Sequence, residues 1–317
     1  MRLLFLLVLL VSPGAFGQDY AKVDQKVSTY PSTFSDVSVL SKRIKSDFSS
    51  EEQQVRAAFT WLANHIVYDI NEYQYINYSG KIIYETEEEL QEKLRAIDLK
   101  VINRAWKHKR TVCEGYSLIF KEICDDLGII SDVIRGYTKT QPKEIGTNRE
   151  AMDHIWNAVQ IDGEWKLVDT TWASGYLSGN GWNHEFNDGF FFADPERLIL
   201  THFPKYEKWQ LQENKVTKKE FFSYPVYYSH AFFYDLSLSN PYQGTIKISS
   251  ENTIILRFKD IPENIKIFYA FDSELQTRPL IFTTKNGYYE TIIPAKKDPY
   301  LTLYINNVSV LDFKISD

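Results

Sequence analysis

The chain has only two cysteines, Cys113 and Cys124, in 317 residues. That excludes a framework of structural disulfides. If both lie on one helix they sit roughly 16 Å apart at the helical rise. A disulfide needs Cα atoms closer than about 7 Å, so the two are not expected to pair. Positive charge is also in short supply: 36 Lys plus Arg face 42 Asp plus Glu, and the net charge is -6. No basic stripe interrupts this balance, so no nucleic-acid partner is expected. Beyond the first residues no apolar run is long enough to span a bilayer, so stable membrane insertion is not expected. Internal repeats and low-complexity segments are absent.

Apolar residues make up 44% of the chain and charged residues 25%, values of a globular protein with an ordinary core. The 21 Tyr, 20 Phe and 7 Trp suit β-rich packing and grooves that hold sugars or peptides. The opening "MRLLFLLVLLVSPGAFGQDY" pairs a positive end with an apolar run and small residues at Ala15 and Gly17. It reads as a signal peptide over 1–17, cleaved before Gln18. No cysteine follows that point to carry a lipid. The expectation is a secreted or periplasmic bacterial protein of about 300 residues. An exported chain with two unpaired thiols raises the question of what one of them does.

The spacing predicts a helix within Ser49–Asp69, opened by Ser49 with Glu52 or Ser50 with Gln53 and burying Val55, Phe59, Leu62 and Ile66. A charged helical or irregular stretch spans Glu85–Lys109. A second clear helix runs from Cys113 to Gly128, with Tyr116, Ile119, Ile123 and Leu127 inward and Gly128 as its C-terminal cap. "ISDVIRGYTK" reads as a strand. "DHIWNAVQIDGEWKLVDTTW", from Asp153 to Trp172, reads as a β-hairpin turning at Asp162-Gly163. The turn-rich Gly175–Gly189 is expected to be a loop or lid. Thr217 and Glu220 predict a short capped helix. After Asn240 come seven short alternating runs, among them "TIILRF", "PLIFTT" and "YLTLYI", the pattern of a small β-sandwich.

The hairpin turn fixes a register in which Ile161 faces Glu164, His154 faces Thr171 and Asp169 faces Trp156. His154 and Asp169 become diagonal neighbours, within reach of each other. A carboxylate on one ring nitrogen fixes the tautomer and frees the other nitrogen to act. Cys113 begins its helix, where the partial positive charge of a helix N-terminus favours a thiolate. Cys124 lies among apolar residues without that advantage. Cys113 as nucleophile, His154 as base and Asp169 as orienter form the candidate catalytic set. Trp156 and Trp172 are candidates for the substrate groove, and equally for the core. Asn157 is expected to be structural. The Cys113 backbone N–H is one oxyanion donor, and the second is not located. No metal site or other cofactor is expected, because the cysteines are too distant to share an ion and no close ligand pair is recognised. His65, His108, His202 and His230 have no recognised partners.

"TVCEGYSLIFKEICDDLGI", "DVIRGYTK" and "HIWNAVQIDGEWKLVDTTWASG" resemble the transglutaminase-like superfamily of papain-like cysteine enzymes, including bacterial secreted members and the kyphoscoliosis peptidase branch. The resemblance covers about Ser49 to Leu211, including "FFFADPERLILTHFP". It places the family's cysteine, histidine and aspartate at Cys113, His154 and Asp169. One departure is Thr111, where many relatives have glycine. The resemblance implies an α+β fold, a Cys-bearing helix packed on an antiparallel sheet that carries His and Asp. The expected division is 1–17 signal peptide, 18–240 transglutaminase-like domain and 241–317 immunoglobulin-like β-sandwich. The implied activity is cysteine protease or amidase chemistry, with transglutamination open, on a polypeptide or peptidoglycan-peptide substrate. The alternative is a catalytically inactive scaffold of the same fold that binds a polypeptide or glycan.

Overall fold

A computed structural model describes residues 20–75, 82–179, 181–234, 236–261 and 264–316. The signal-peptide reading of 1–17 lies outside these residues. Among them, no helix is long and apolar enough to cross a membrane.

The N-terminal part opens with α1 (Ala21–Val27), α2 (Val37–Asp47) and α3 (Glu51–His65). Ser50 caps α3 by accepting from the Gln53 N–H, and Val55, Phe59, Leu62 and Ile66 are fully buried. The Arg56 guanidinium is buried on the aromatic rings of Tyr20, Phe59, Phe186 and Phe191 and pairs with Asp24 at 2.6 Å, which ties α1 to α3. β1 (Val67–Tyr68) leads to α4 (Ile70–Tyr75) and to the charged α5 (Glu87–His108), capped by Thr86. β2 (Arg110–Thr111) pairs in parallel with β1 and delivers the chain to α6 (Cys113–Leu127), which ends at left-handed Gly128.

β3 (Ser131–Thr138), β4 (His154–Ile161) and β5 (Glu164–Val168) follow, and Ile161 pairs with Glu164 across the expected turn. α7 (Thr170–Ala173) comes directly after. Gly175–Gly189 is not a plain loop: β6 (Gly175–Ser178) and β7 (Gly181–His184) make a two-stranded hairpin. β8 (Phe191–Ala193), α8 (Pro195–Leu198) and β9 (His202–Pro204) complete the unit. The antiparallel sheet runs β8-β5-β4-β3-β9, and α6 packs against β3 and β4 and against α2, α3 and α5.

α9 (Lys218–Ser223), with Thr217 and Glu220 in a capping box, leads to β10 (Val226–Tyr227) and α10 (Ser229–Phe233). The remaining strands are β11 (Ser237–Asn240), β12 (Thr245–Lys247), β13 (Thr253–Asp260), β14 (Ile267–Phe271), β15 (Arg278–Pro279), β16 (Thr283–Lys285), β17 (Tyr288–Pro294), β18 (Tyr300–Ile305) and β19 (Val308–Ser316). One sheet runs β10-β19-β18-β14-β15 with β12 beside β19, and the other runs β11-β13-β17-β16. Inward Ile254, Leu256 and Phe258 from one sheet and Leu301, Leu303 and Ile305 from the other are buried, as alternation requires. "PLIFTT" is split, since Pro279 ends β15 in one sheet and Thr283 begins β16 in the other. β10 and β11 recruit residues ahead of Pro241 into these sheets.

Candidate active site

Cys113 is the first residue of α6, whose N-cap Val112 offers no side-chain acceptor to the first-turn amides. The helix is held by Tyr116, which donates to the Ile66 carbonyl at 2.5 Å and accepts from the Ser174 hydroxyl at 3.1 Å. Thr111 packs beneath the same turn. A Cβ on Gly115 would meet its Oγ1 at 2.1 Å, so glycine at 115 is what leaves room for threonine at 111. Asn157 donates to the Ser117 carbonyl at 3.1 Å, fastening β4 to α6, a structural use as expected.

His154 Nε2–H donates to Asp169 Oδ2 at 2.6 Å, with the residues 6% and 1% exposed. The ladder does not run as far as the expected register, however. Paired positions stop at Asn157 and Val168, so His154 does not face Thr171 and Asp169 does not pair with Trp156. Asp169 leaves the strand to become the N-cap of α7, and its Oδ1 accepts from the N–H groups of Thr171 (2.7 Å) and Trp172 (3.0 Å). The capping bond outcompetes continued pairing, yet it aims Oδ2 at His154.

A residue that the sequence left without a partner completes the cluster. His202, on β9, donates Nε2–H to the same Asp169 Oδ2 at 2.9 Å, and the Thr201 hydroxyl lies 2.7 Å from its Nδ1. His202 is 1% exposed. Two other histidines also have partners: His230 meets Glu185 at 2.9 Å, and His65 stacks on Trp61 and bonds its carbonyl at 2.9 Å.

β9 can come this close because residue 136 is glycine. A Cβ there would lie 2.2 Å from the Phe203 carbonyl oxygen and 2.6 Å from the Trp156 ring. Trp156 is 1% exposed, stacks on His154 at 5.9 Å and is not among the residues that line the cavity reaching that ring, which favours the core of the two readings. Trp172 does line that cavity.

The electrostatics separate the titrating groups. Burial pulls the His154 imidazolium down, but the Asp169 charge and hydrogen bond outweigh it; the Cys113 side chain adds to the upward push, and the result is about 10. Burial pushes Asp169 up, but His154 and His202 together hold it well below the usual carboxylate range. Burial and the neighbouring His154 charge pull His202 down to about 4, against the pull of Asp169 and Asp153. Burial pushes the Cys124 thiol up to about 12, which leaves it a poor nucleophile.

His154, Asp169 and His202 offer three possible ligand atoms within 4.8 Å of one another, a close set that the sequence did not reveal. Their arrangement is that of a hydrogen-bonded cluster. Both nitrogens point protons at one oxygen, at 2.6 and 2.9 Å. Ligands on a tetrahedral ion with bonds of ~2.0 Å would stand about 3.3 Å apart and would have to shed those protons.

A cavity of about 350 Å³ reaches His154. Its wall includes the stacked rings of Tyr68 and Trp182, 4.9 Å apart, with Tyr176 and Trp172. Cys113 is 8% exposed and is not in that wall.

No family model matches the chain. The mouse kyphoscoliosis peptidase is 27% identical over 206 residues, covering 64% of this chain and 28% of that protein. A LIM and transglutaminase domain protein of Caenorhabditis elegans is 26% identical over 185 residues, covering 52% of this chain and 25% of that protein. The chain thus spans only about a quarter of the length of these curated relatives, and both are animal proteins. Among solved structures, that of a TGase aligns over 56% of this chain and 37% of its own, at 16% identity and a TM-score of 0.28.

Proposed function

Since the chain belongs to the transglutaminase-like superfamily, we propose that it is a thiol-dependent acyl-transfer enzyme with Cys113 as nucleophile. The observation that carries this reading is the buried His154–Asp169 hydrogen bond of 2.6 Å beside the cysteine that opens α6. With Nε2 committed to Asp169, Nδ1 is the ring nitrogen left to serve the thiol. The Cys113 sulfur attacks a carboxamide carbon, and the oxyanion is met by the Cys113 backbone N–H. His154 gives its proton to the departing amine as the C–N bond breaks. The acyl-enzyme then passes to water, with neutral His154 taking the water proton. This hydrolytic outcome, protease or amidase, is the preferred one; an amine in place of water gives transglutamination.

The test is alkylation. Iodoacetamide at mildly acidic pH is expected to label Cys113 well ahead of Cys124, mapped by mass spectrometry, and His154→Ala is expected to slow that labelling. A Cys113 that reacts no faster than a free cysteine in solution overturns the reading. One observation favours a second one. The aromatic wall of the cavity does not include the thiol, as suits a binding protein on the same fold. In that case an inert Cys113 would accompany intact peptide or glycan binding.

A further inference from the structure

Two residues of the cavity wall come from the β-rich part of the chain. Tyr228 and Ser229 lie there with His154 and Trp172. They directly follow β10, which pairs with β19 through Val226 with Asp312 and Tyr227 with Leu311. The Tyr228 N–H donates to the Val310 carbonyl at 3.1 Å, and its hydroxyl donates to Asp312 Oδ2 at 2.5 Å. Asp312, on β19, is 3% exposed. From the other side, Asn187 donates to the Ser229 carbonyl at 2.9 Å. The last strand of the chain therefore holds a phenol in the wall of a cavity whose histidine comes from β4.

The chemistry of that wall selects its occupant. Among the described residues, no lysine or arginine lines it, and the one carboxylate there, Asp153, is engaged by the Thr138 N–H and hydroxyl and by Arg149. An anionic or cationic chain finds no free counter-charge. Among the described residues, Trp182 Nε1 and Thr171 Oγ1, on two residues of the wall, are buried without a hydrogen-bond partner. Apolar side chains fit the Tyr68–Trp182 rings.

We propose that the C-terminal sandwich is a working part of the site: β19, through Asp312, fixes Tyr228 as a specificity-determining residue in a subsite for an uncharged stretch of polypeptide beside the reacting carbonyl. The proposal rests on the thiol-enzyme reading above, and its test separates the two. The full chain is treated with iodoacetamide, which needs no subsite, and with an apolar peptidyl chloromethyl ketone, which does. Tyr228→Ala is expected to slow the peptidyl reagent about tenfold, in the range of a lost interface tyrosine. Tyr228→Phe and Asp312→Ala, which remove the donor and the acceptor of that bond, are expected to slow it about threefold by freeing the ring from β19. Labelling by iodoacetamide is expected to stay unchanged in all three. If the ratio of the two rates is unchanged in every variant, or both rates fall together, the subsite is overturned. A wild-type Cys113 inert to both reagents overturns the thiol-enzyme reading instead.

Discussion

One carboxylate does two things in this protein. Asp169 Oδ1 ends a strand and starts a helix, while Oδ2 receives two imidazole protons. A buried carboxylate with fewer donors would be costly, and four N–H groups make its charged form the stable one. His202 can only help as a neutral ring with its proton on Nε2, the tautomer set when Nδ1 accepts from Thr201. It is a positioning residue, because it acts through Asp169 on His154. His202→Ala is expected to lower kcat about 10- to 100-fold, as losses of such supporting bonds do, with KM little changed. His202→Gln, whose amide can still donate, is expected to recover part of it. A His202→Ala enzyme with full kcat would reduce the residue to packing. The His154–Asp169 contact was legible from the turn at Asp162-Gly163, which fixes what lies near what. His202 was not, because it stands 33 residues beyond Asp169 on a strand of three residues with no periodicity to read. Its only signal was that "LTHFP" lies within the stretch of family resemblance.

Among the elements, those with a long period and a cap were legible: α3 with Ser50, α6 with Gly128, and the capped α9. Those decided by a local contest were not. β5 stops where Asp169 finds two backbone donors, and "PLIFTT" divides because each half pairs in a different sheet. β6 and β7 were hidden by the glycines in their sequence, of which Gly175 and Gly181 adopt φ of 148° and 114°. β3 holds a quieter constraint, since Gly136 is opposite both His154 and Pro204. A methyl there would press on the Phe203 carbonyl and on the buried Trp156, neither of which is a flexible chain end. Gly136→Ala is expected to cost about 1–3 kcal/mol, the usual penalty of overpacking, seen as a lower urea midpoint at unchanged m. Because β9 must shift, activity is expected to fall alongside, approaching the His202→Ala value. A variant as stable and active as wild type would show that β9 is not held by this approach.

At the scale of the whole molecule, the buried titrating groups tie stability to pH, and they do not all pull the same way. His154 is raised to about 10, so its contribution is complete below its ordinary value of 6.5 and is lost as pH climbs through 10. His202 is lowered to about 4; the unfolded chain alone binds its proton between there and 6.5, so stability falls with acid in that window. Asp169, held low, adds a further loss as pH drops through its depressed value. Above neutrality two lysines oppose His154. Burial pulls Lys139 to about 7 and Lys109 to about 8, so stability from them rises toward their ordinary 10.5. A single stability profile therefore mixes opposite slopes, and the difference between two proteins is what isolates the site. His154→Gln is expected to lower Tm most at pH 6 and progressively less at pH 8 and pH 10, because above 6.5 the unfolded wild-type chain sheds the proton that the folded imidazole keeps until about 10, so the advantage shrinks across that window. A gap in Tm that stays constant across the three pH values would mean that the ring is neutral in the folded protein and that its pairing with Asp169 carries no charge.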